Sequence, residues 1–434
     1  MIKAEDYPLW NSAVARVFLK TFDPEGMMVE GRGVRIRDAA GRWFLDARSG
    51  AGNVPLGYDD QRVITAIKDQ LDTLPYANMI GYGRPSAISA RAAEALIPHL
   101  PPHLTKVRYC SNGSQATETA VLLSRFLHRA QGAAERDTIF ALWNGFHGLG
   151  AGAGALTGLP YVHQQCGPLL PGVQHARGPF EPAGEDPGSD LERRITDFGP
   201  GRVAAVIIEP IVGEGGHVLP DDYLHSLARF CRRHGIHLIA DEITTGMGRA
   251  GAFTRSQQVG IAPDILTLGK GLSAGYAPLS AVVLSDEIYQ QVLDLPYDKP
   301  MFTGSTNDGH PLALAASIAV IGILAAGGIL DNVKRAGARL ARGLTAAAAR
   351  HPAISAVRGT GLMYGIELAA PAPGTTAAPH PANTLRLAME HHGVLVSTLA
   401  SWPAITIMPP LITTDDDIDE ILTALENSLT LLRC

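Results

Sequence analysis

From about residue 85 to residue 290, helical stretches alternate with short apolar runs, and no other feature narrows the possible folds of this 434-residue chain as far. The runs are Lys106 to Cys110, Thr138 to Leu142, Val203 to Ile208, Ile236 to Ala240, Asp264 to Leu268 and Ser280 to Leu284. Strands alternating with helices predict an α/β fold: a mainly parallel sheet with helices on both faces and ligands at the carboxyl ends of the strands. Ahead of it, residues 1 to about 30 read as a helix (Trp10, Val14, Val17, Phe18) and a turn. Gly33 to Asp46 then alternates around a turn at Asp38 to Gly41, a hairpin pattern, and Val63, Ile64, Ile67 and Leu71 mark an amphipathic helix. Gly172 to Gly201, rich in Gly, Pro and acidic residues, is expected to be a surface excursion. Residues 331–434 return to an α+β pattern, with helices near 331–349 and 415–432, strands near 361–368 and 405–408, and a Pro/Ala-rich loop at Pro371 to Pro381. The expected division is 1–58 as part of a smaller domain, 59–310 as the large domain, and 311–434 as the rest of the smaller one.

Charge and cysteine content exclude several classes. A net charge of −6 without basic blocks argues against nucleic acid as a partner. Cys110, Cys166, Cys231 and Cys434 show neither metal-binding nor disulfide spacing, which with the absence of a signal-like apolar start predicts a cytoplasmic protein. Leu312 to Leu330 is uncharged and nearly long enough to cross a bilayer. Its glycines Gly322, Gly327 and Gly328, its start after Pro311 and its lack of aromatic anchors point instead to a buried helix at a domain or subunit interface.

The chemistry-bearing residues follow the strands. Lys270 sits between two glycines at the end of Asp264 to Leu268, where burial would lower its proton affinity and leave an amine able to attack an aldehyde. A surface lysine on a glycine-rich turn is the plainer alternative. In Cys110-Ser111-Asn112-Gly113-Ser114, a strand runs into a helix whose free N–H groups, with the Ser114 hydroxyl and the bare Gly113 backbone, form an anion cup, unless the turn is only an N-cap. Phe146, in Asn144-Gly145-Phe146-His147-Gly148, can stack on a planar ring or pack on the core. The glycines that follow do not meet GxGxxG spacing, so a dinucleotide loop is set aside. Glu209 and Glu214 follow one strand, and Asp241 ends another, where a buried carboxylate needs a cation: a protonated pyridine nitrogen, or an arginine such as Arg249. A phosphate cup, a stacking aromatic, a ring-nitrogen carboxylate and an amine on successive strands suit pyridoxal 5'-phosphate.

Ile239-Ala240-Asp241-Glu242-Ile243-Thr244-Thr245-Gly246-Met247-Gly248-Arg249, followed by Pro263-Asp264-Ile265 and Gly269-Lys270-Gly271, resembles the class III aminotransferases of the fold type I pyridoxal-phosphate enzymes. The resemblance runs from the hairpin at Gly33 to Pro410 and implies a seven-stranded, mainly parallel sheet in the large domain. It also implies that Lys270 forms a Schiff base with the cofactor and shuttles the proton, and that Asp241 faces the ring nitrogen. Gly113 and Ser114 would hold the phosphate, Ile243 and Phe146 opposite ring faces, with His147, Glu209 and Thr244 completing the cofactor contacts. Gly304-Ser305-Thr306-Asn307 matches the segment whose threonine reaches the phosphate in the other subunit, which makes a homodimer with shared sites the expected assembly.

Thr244 stands where a glutamine that touches the ring hydroxyl is frequent, a departure that concerns the cofactor. The other departures concern substrate. Thr406 stands where members that read α-carboxylates carry an arginine, and Glu214 matches the glutamate that pairs with it. Glu30 stands where aminomutases place an arginine before the hairpin glycine. In Ser49-Gly50-Ala51-Gly52-Asn53, Gly52 falls where amine transaminases often have tryptophan. The expectation is a ping-pong aminotransferase, passing an amino group from an amino donor to a bulky aldehyde or ketone without a nearby carboxylate. Amino acid racemisation, epimerisation or an aminomutase reaction is the alternative within the same chemistry, and a catalytically idle scaffold the alternative outside it.

Overall fold

The computed structural model describes residues 24–79, 83–180, 190–295, 301–369, 381–398 and 403–432. The helix expected around Trp10 to Phe18, and all but the last residue of the loop expected at Pro371 to Pro381, lie outside them. The N-terminal hairpin is present as strands β1 (Met28–Arg32), β2 (Arg35–Asp38) and β3 (Trp43–Asp46), paired antiparallel. Its turn closes because the buried Asp38 carboxylate accepts from Arg42 N at 2.8 Å. An amphipathic helix, Gln61–Thr73, follows where the apolar spacing predicted it, capped by Asp60.

The central sheet is built from β4 (Leu104–Cys110), β5 (Thr138–Leu142), β6 (Val173–Ala176) and β7 (Val203–Ile208). A small hairpin, β8 (Ile211–Val212) and β9 (His217–Val218), interrupts it before β10 (His237–Asp241), β11 (Ile265–Leu268) and β12 (Ser280–Ser285). The strand order is β4-β12-β11-β10-β7-β5-β6, with β12 antiparallel to both neighbours and the other pairs parallel. All six expected strands are present with small shifts at their ends. The seventh, β6, corrects the surface excursion expected at Gly172 to Gly201, which also holds a helix at Asp190–Phe198. Its four residues, Val-Gln-His-Ala, occupy the sheet edge, where polar side chains are tolerated and no long apolar run announces a strand.

Helix Pro311–Ala325 is mostly buried and packs on Gln61–Thr73 and Ala87–Leu96. Gly327 and Gly328, at φ +86° and +83°, end it, and the chain turns by 69° into helix Ile329–Arg350. No single helix among the described residues is long and apolar enough to cross a membrane. The C-terminal part adds β13 (Ile354–Thr360), β14 (Met363–Leu368), β15 (Val394–Leu395), β16 (Ser397–Thr398) and β17 (Ala404–Ile407), with helices Pro381–His391 and Asp415–Leu429. Strands β13-β14-β17-β16 form an antiparallel sheet, while β15 joins the N-terminal hairpin, parallel to β3. Fully buried Arg249 donates to Leu362 O at 3.0 Å and to Pro409 O, tying the loop after β10 to this C-terminal sheet.

Candidate active site

The loops after β4, β5, β10 and β11 enclose a cavity of about 450 Å³. Gly113, Ser114, Phe146, His147, Asp241, Ile243, Thr244 and Lys270 all line it, as does Asn53. Four strand ends thus bring together the residues that the sequence offered as cup, aromatic, carboxylate and amine.

The cup is the start of helix Gly113–Ala130, capped by Asn112, whose side chain accepts from Gln115 N at 3.0 Å. The first N–H groups of a helix lack intrahelical partners and favour an anion. Ser114 Oγ accepts from Leu149 N at 3.1 Å, which holds the Phe146 loop against the cup. Gly148 is required there: its φ is +119°, and a Cβ would stand 2.4 Å from Ser114 Oγ.

Asp241, 3 % exposed, ends β10. Its Oδ2 lies 2.8 Å from His147 Nδ1, and its Oδ1 accepts from Thr267 Oγ1 at 2.9 Å and from Ile243 N at 3.2 Å. Arg249, the alternative partner suggested by the sequence, serves carbonyls elsewhere, so the two form no salt bridge. Thr267 was missed, although a hydroxyl residue inside the buried run Ile265–Leu268 is itself a signal.

Lys270 follows β11 in a one-turn 3₁₀ segment at φ +40°, a conformation costly for a non-glycine residue. Its Nζ donates to Thr244 Oγ1 at 2.7 Å. Burial lowers its affinity for a proton, opposed by the nearby carboxylates of Glu209, Asp241 and Glu214. The other non-glycine residues with positive φ among those described, Ser49, Ala51, Asn144, Met247 and Ala274, also lie on loops around this cavity or packed against it.

Several expected site residues do not line the cavity. Glu209 is buried behind it, accepting from Phe146 N at 2.8 Å and Gly213 N at 3.1 Å, with its carboxyl pushed up to about 7 by burial. Gly52 ends a left-handed turn pinned by Asp46, which accepts from Gly50 N at 2.7 Å and from the Tyr58 hydroxyl. A Cβ at Gly52 would lie 3.8 Å from Thr244 Cγ2 and 3.7 Å from Met408 Sδ, so it adjoins the cavity through Thr244. Glu214 is half-buried in the β8–β9 turn, and Thr406 is buried in β17. Thr306 is exposed; its carbonyl accepts from Tyr76 Oη at 2.9 Å. The neighbouring Asp308 accepts from Ser111 Oγ at 3.0 Å and Gln115 Nε2 at 2.8 Å, tying the Thr306 segment to the cup, a link the sequence reading did not include.

This chain belongs to the class III aminotransferases: the family model described as aminotransferase class-III matches residues 22–429. It is a pyridoxal-phosphate-dependent transaminase of fold type I. A diaminobutyrate–2-oxoglutarate transaminase of Halomonas elongata is 30% identical over 94% of this chain and 90% of its own length. An amine transaminase from an uncultivated Pseudomonas species, solved in its pyridoxal-phosphate-bound form, is 32% identical with a TM-score of 0.90, covering 98% of each chain. A thermostable omega transaminase carrying a tryptophan-to-glycine replacement, engineered for asymmetric synthesis of enantiopure bulky amines, is 29% identical with a TM-score of 0.92, covering 99% of this chain and 98% of that one.

Proposed function

We propose that Lys270 carries the cofactor covalently through its ε-amine and moves the substrate proton, in an aminotransferase whose acceptor is a bulky aldehyde or ketone without an adjacent carboxylate. The observation that carries this reading is the Lys270 amine, depleted of proton affinity by burial, in one cavity with the Asp241 carboxylate and the start of helix Gly113–Ala130. Those groups fit pyridoxal phosphate: helix N–H groups for the phosphate, a carboxylate for the ring nitrogen and an amine for the aldehyde. When bound, the cofactor supplies a cationic ring that accepts the electron pair left by the departing substrate proton.

The chain's own residues do the rest. The N–H groups at Gly113 and Ser114, with the Ser114 hydroxyl, hold the phosphate. Asp241, fixed by its three contacts, keeps the ring nitrogen protonated, and His147 holds the carboxylate in place. Phe146 and Ile243 pack on the two faces of the ring, and Glu209 sets Phe146 by accepting its backbone N–H. Thr244, through its 2.7 Å contact, orients the lysine amine. Thr306 serves the phosphate of a partner subunit in a homodimer, a role favoured by its exposure.

For substrate, Thr406 and Glu30 replace arginines that would read a carboxylate. Gly52 leaves room that tryptophan would fill, in keeping with the tryptophan-to-glycine variant described for bulky amines. Residues 59–310 form the cofactor-holding domain, with 1–58 and 311–434 as the smaller one, supported by the pairing of β15 with β3. The free thiols of Cys110 and Cys231 suit a reducing cytoplasm.

The test is the visible absorption of the holoenzyme on adding amine donors, followed by competition among acceptors. Bleaching by a donor, restored faster by a bulky aryl ketone or aldehyde than by a small oxo-carboxylate, is expected. Faster restoration by small oxo-carboxylates would overturn the acceptor assignment, and loss of optical purity without bleaching would replace the aminotransferase reading with racemisation.

A further inference from the structure

A second cavity, of about 200 Å³, opens at the other end of the central sheet. The last turns of helices Gly113–Ala130 and Asp221–His234, the residues leading into β10 and β11, and helix Asp286–Leu293 line it. These are the amino ends of the parallel strands, and the cavity shares no lining residue with the one at Lys270. His237 opens the strand that Asp241 closes, about 13 Å away by strand rise.

Two stacked imidazoles, His128 and His237, stand in its wall with ring centroids 4.4 Å apart, 6 % and 7 % exposed. Their tautomers follow from their partners. His128 Nε2 lies 3.1 Å from Ala204 O, which can only accept, so that nitrogen carries the hydrogen. Ser124 Oγ donates its own hydrogen to Ala204 O at 3.2 Å, so His237 Nδ1, 2.8 Å away, donates to Ser124 Oγ. His128 Nδ1 and His237 Nε2 are left as bare acceptors, without hydrogen-bond partners among the described residues and not sealed from solvent. Burial pushes the His237 imidazole down to about 3, so it stays neutral near neutral pH.

Charged groups surround these acceptors without pairing. Asp264 is fixed by Leu238 N, which donates to its Oδ2 at 2.7 Å, and its Oδ1 is left over. The side chains of Arg232 and Glu287 line the same cavity, yet neither has a hydrogen bond or ion pair with the other or with another described residue. Burial pushes the Asp264 carboxyl up and the Leu238 N–H opposes; beyond those, Glu287 and Arg232 act on it with opposite signs, which puts both within electrostatic reach. Arg136, whose charge also reaches His237, is committed to the carbonyls of Gly235 and His234 at 2.9 and 3.0 Å. Opposite charges that share a small cavity without meeting leave room for a ligand that carries both. The volume equals about seven waters, and so a molecule of about seven non-hydrogen atoms.

We propose that this cavity binds a small amino acid as its zwitterion, at a site separate from the one at Lys270. The ammonium, with three donors and no acceptor, faces the bare imidazole nitrogens and the carboxylates of Asp264 and Glu287, while the Arg232 guanidinium takes the carboxylate. Binding there is independent of the chemistry at Lys270.

The probe is 2-aminoisobutyrate, a zwitterion of that size with no hydrogen on the carbon that bears nitrogen, so Lys270 has no proton to move. Titration calorimetry on the holoenzyme counts binding at every site, and visible absorption reports the cofactor cavity alone. Expected is a binding event that leaves the absorption unchanged and is at least about 10-fold tighter than that of isopropylamine or isobutyrate, each of which carries only one of the two charges. Arg232→Met and Glu287→Gln, both at exposed positions, should each weaken it about 5- to 20-fold. No binding, heat found only together with a change in absorption, equal affinity for the zwitterion and its two halves, or binding undiminished in both variants would each overturn the site.

Discussion

At the scale of single residues, the site depends on charged groups whose costs of burial are met by particular neighbours. Asp241 is satisfied by His147, Thr267 and Ile243, while among the described residues Lys270 has only the Thr244 hydroxyl within hydrogen-bond reach. Lys270→Ala removes both the covalent anchor and the proton carrier, so turnover should fall at least about ten-thousand-fold while cofactor binding stays measurable by fluorescence. The titration of this lysine gives a second check. Burial disfavours its ammonium form, so the neutral amine persists to lower pH than in an ordinary lysine at 10.5. In the apo protein, the rate at which added pyridoxal phosphate forms a visible band should therefore have its pH midpoint below that value; a midpoint at or above it would contradict the burial argument. Lys270 and Asp241 were legible because each charge stands at the end of an apolar run. The His147–Asp241 and Thr267–Asp241 contacts were not, because their partners are 94 and 26 residues apart in sequence.

At the scale of elements, backbones meet so closely that single glycines decide whether they fit. Helix Ile329–Arg350 crosses the turn at Gly361 with Gly337 at the contact, where a Cβ would stand 2.2 Å from Gly361 O. Alanine favours a helix over glycine by about 1 kcal/mol, but a clash with a backbone carbonyl outweighs it. Gly337→Ala should thus lower unfolding stability by roughly 1–3 kcal/mol, read by urea or thermal denaturation, and a gain in stability would show that the helix can move aside. The strands and the long helices were readable from period and length. Strand β6 was not, since an edge strand of four residues with two polar side chains carries no pattern of its own.

At the scale of the whole molecule, the proposed assembly can be separated from a self-contained site by mixing defective chains. Each site would take Lys270 from one subunit and Thr306 from the other. A heterodimer of a Lys270→Ala chain and a Thr306→Val chain then contains one site with both residues intact, and coexpression should restore activity well above either homodimer. No restoration, with heterodimers demonstrated by differential tagging, would place Thr306 outside the partner's site. By itself, the sequence determined the alternation of strands and helices, the order of the chemical groups along them and the absence of carboxylate-reading arginines at Thr406 and Glu30, because these are local properties of residue type and spacing. Only the tertiary structure decided that Glu209 stands behind the cavity rather than in it, and that Arg249 ties the loop after β10 to the C-terminal sheet. Each of these follows from which residues, distant in the chain, are brought within a few ångströms, and pairing across such separations leaves no periodic trace in the sequence.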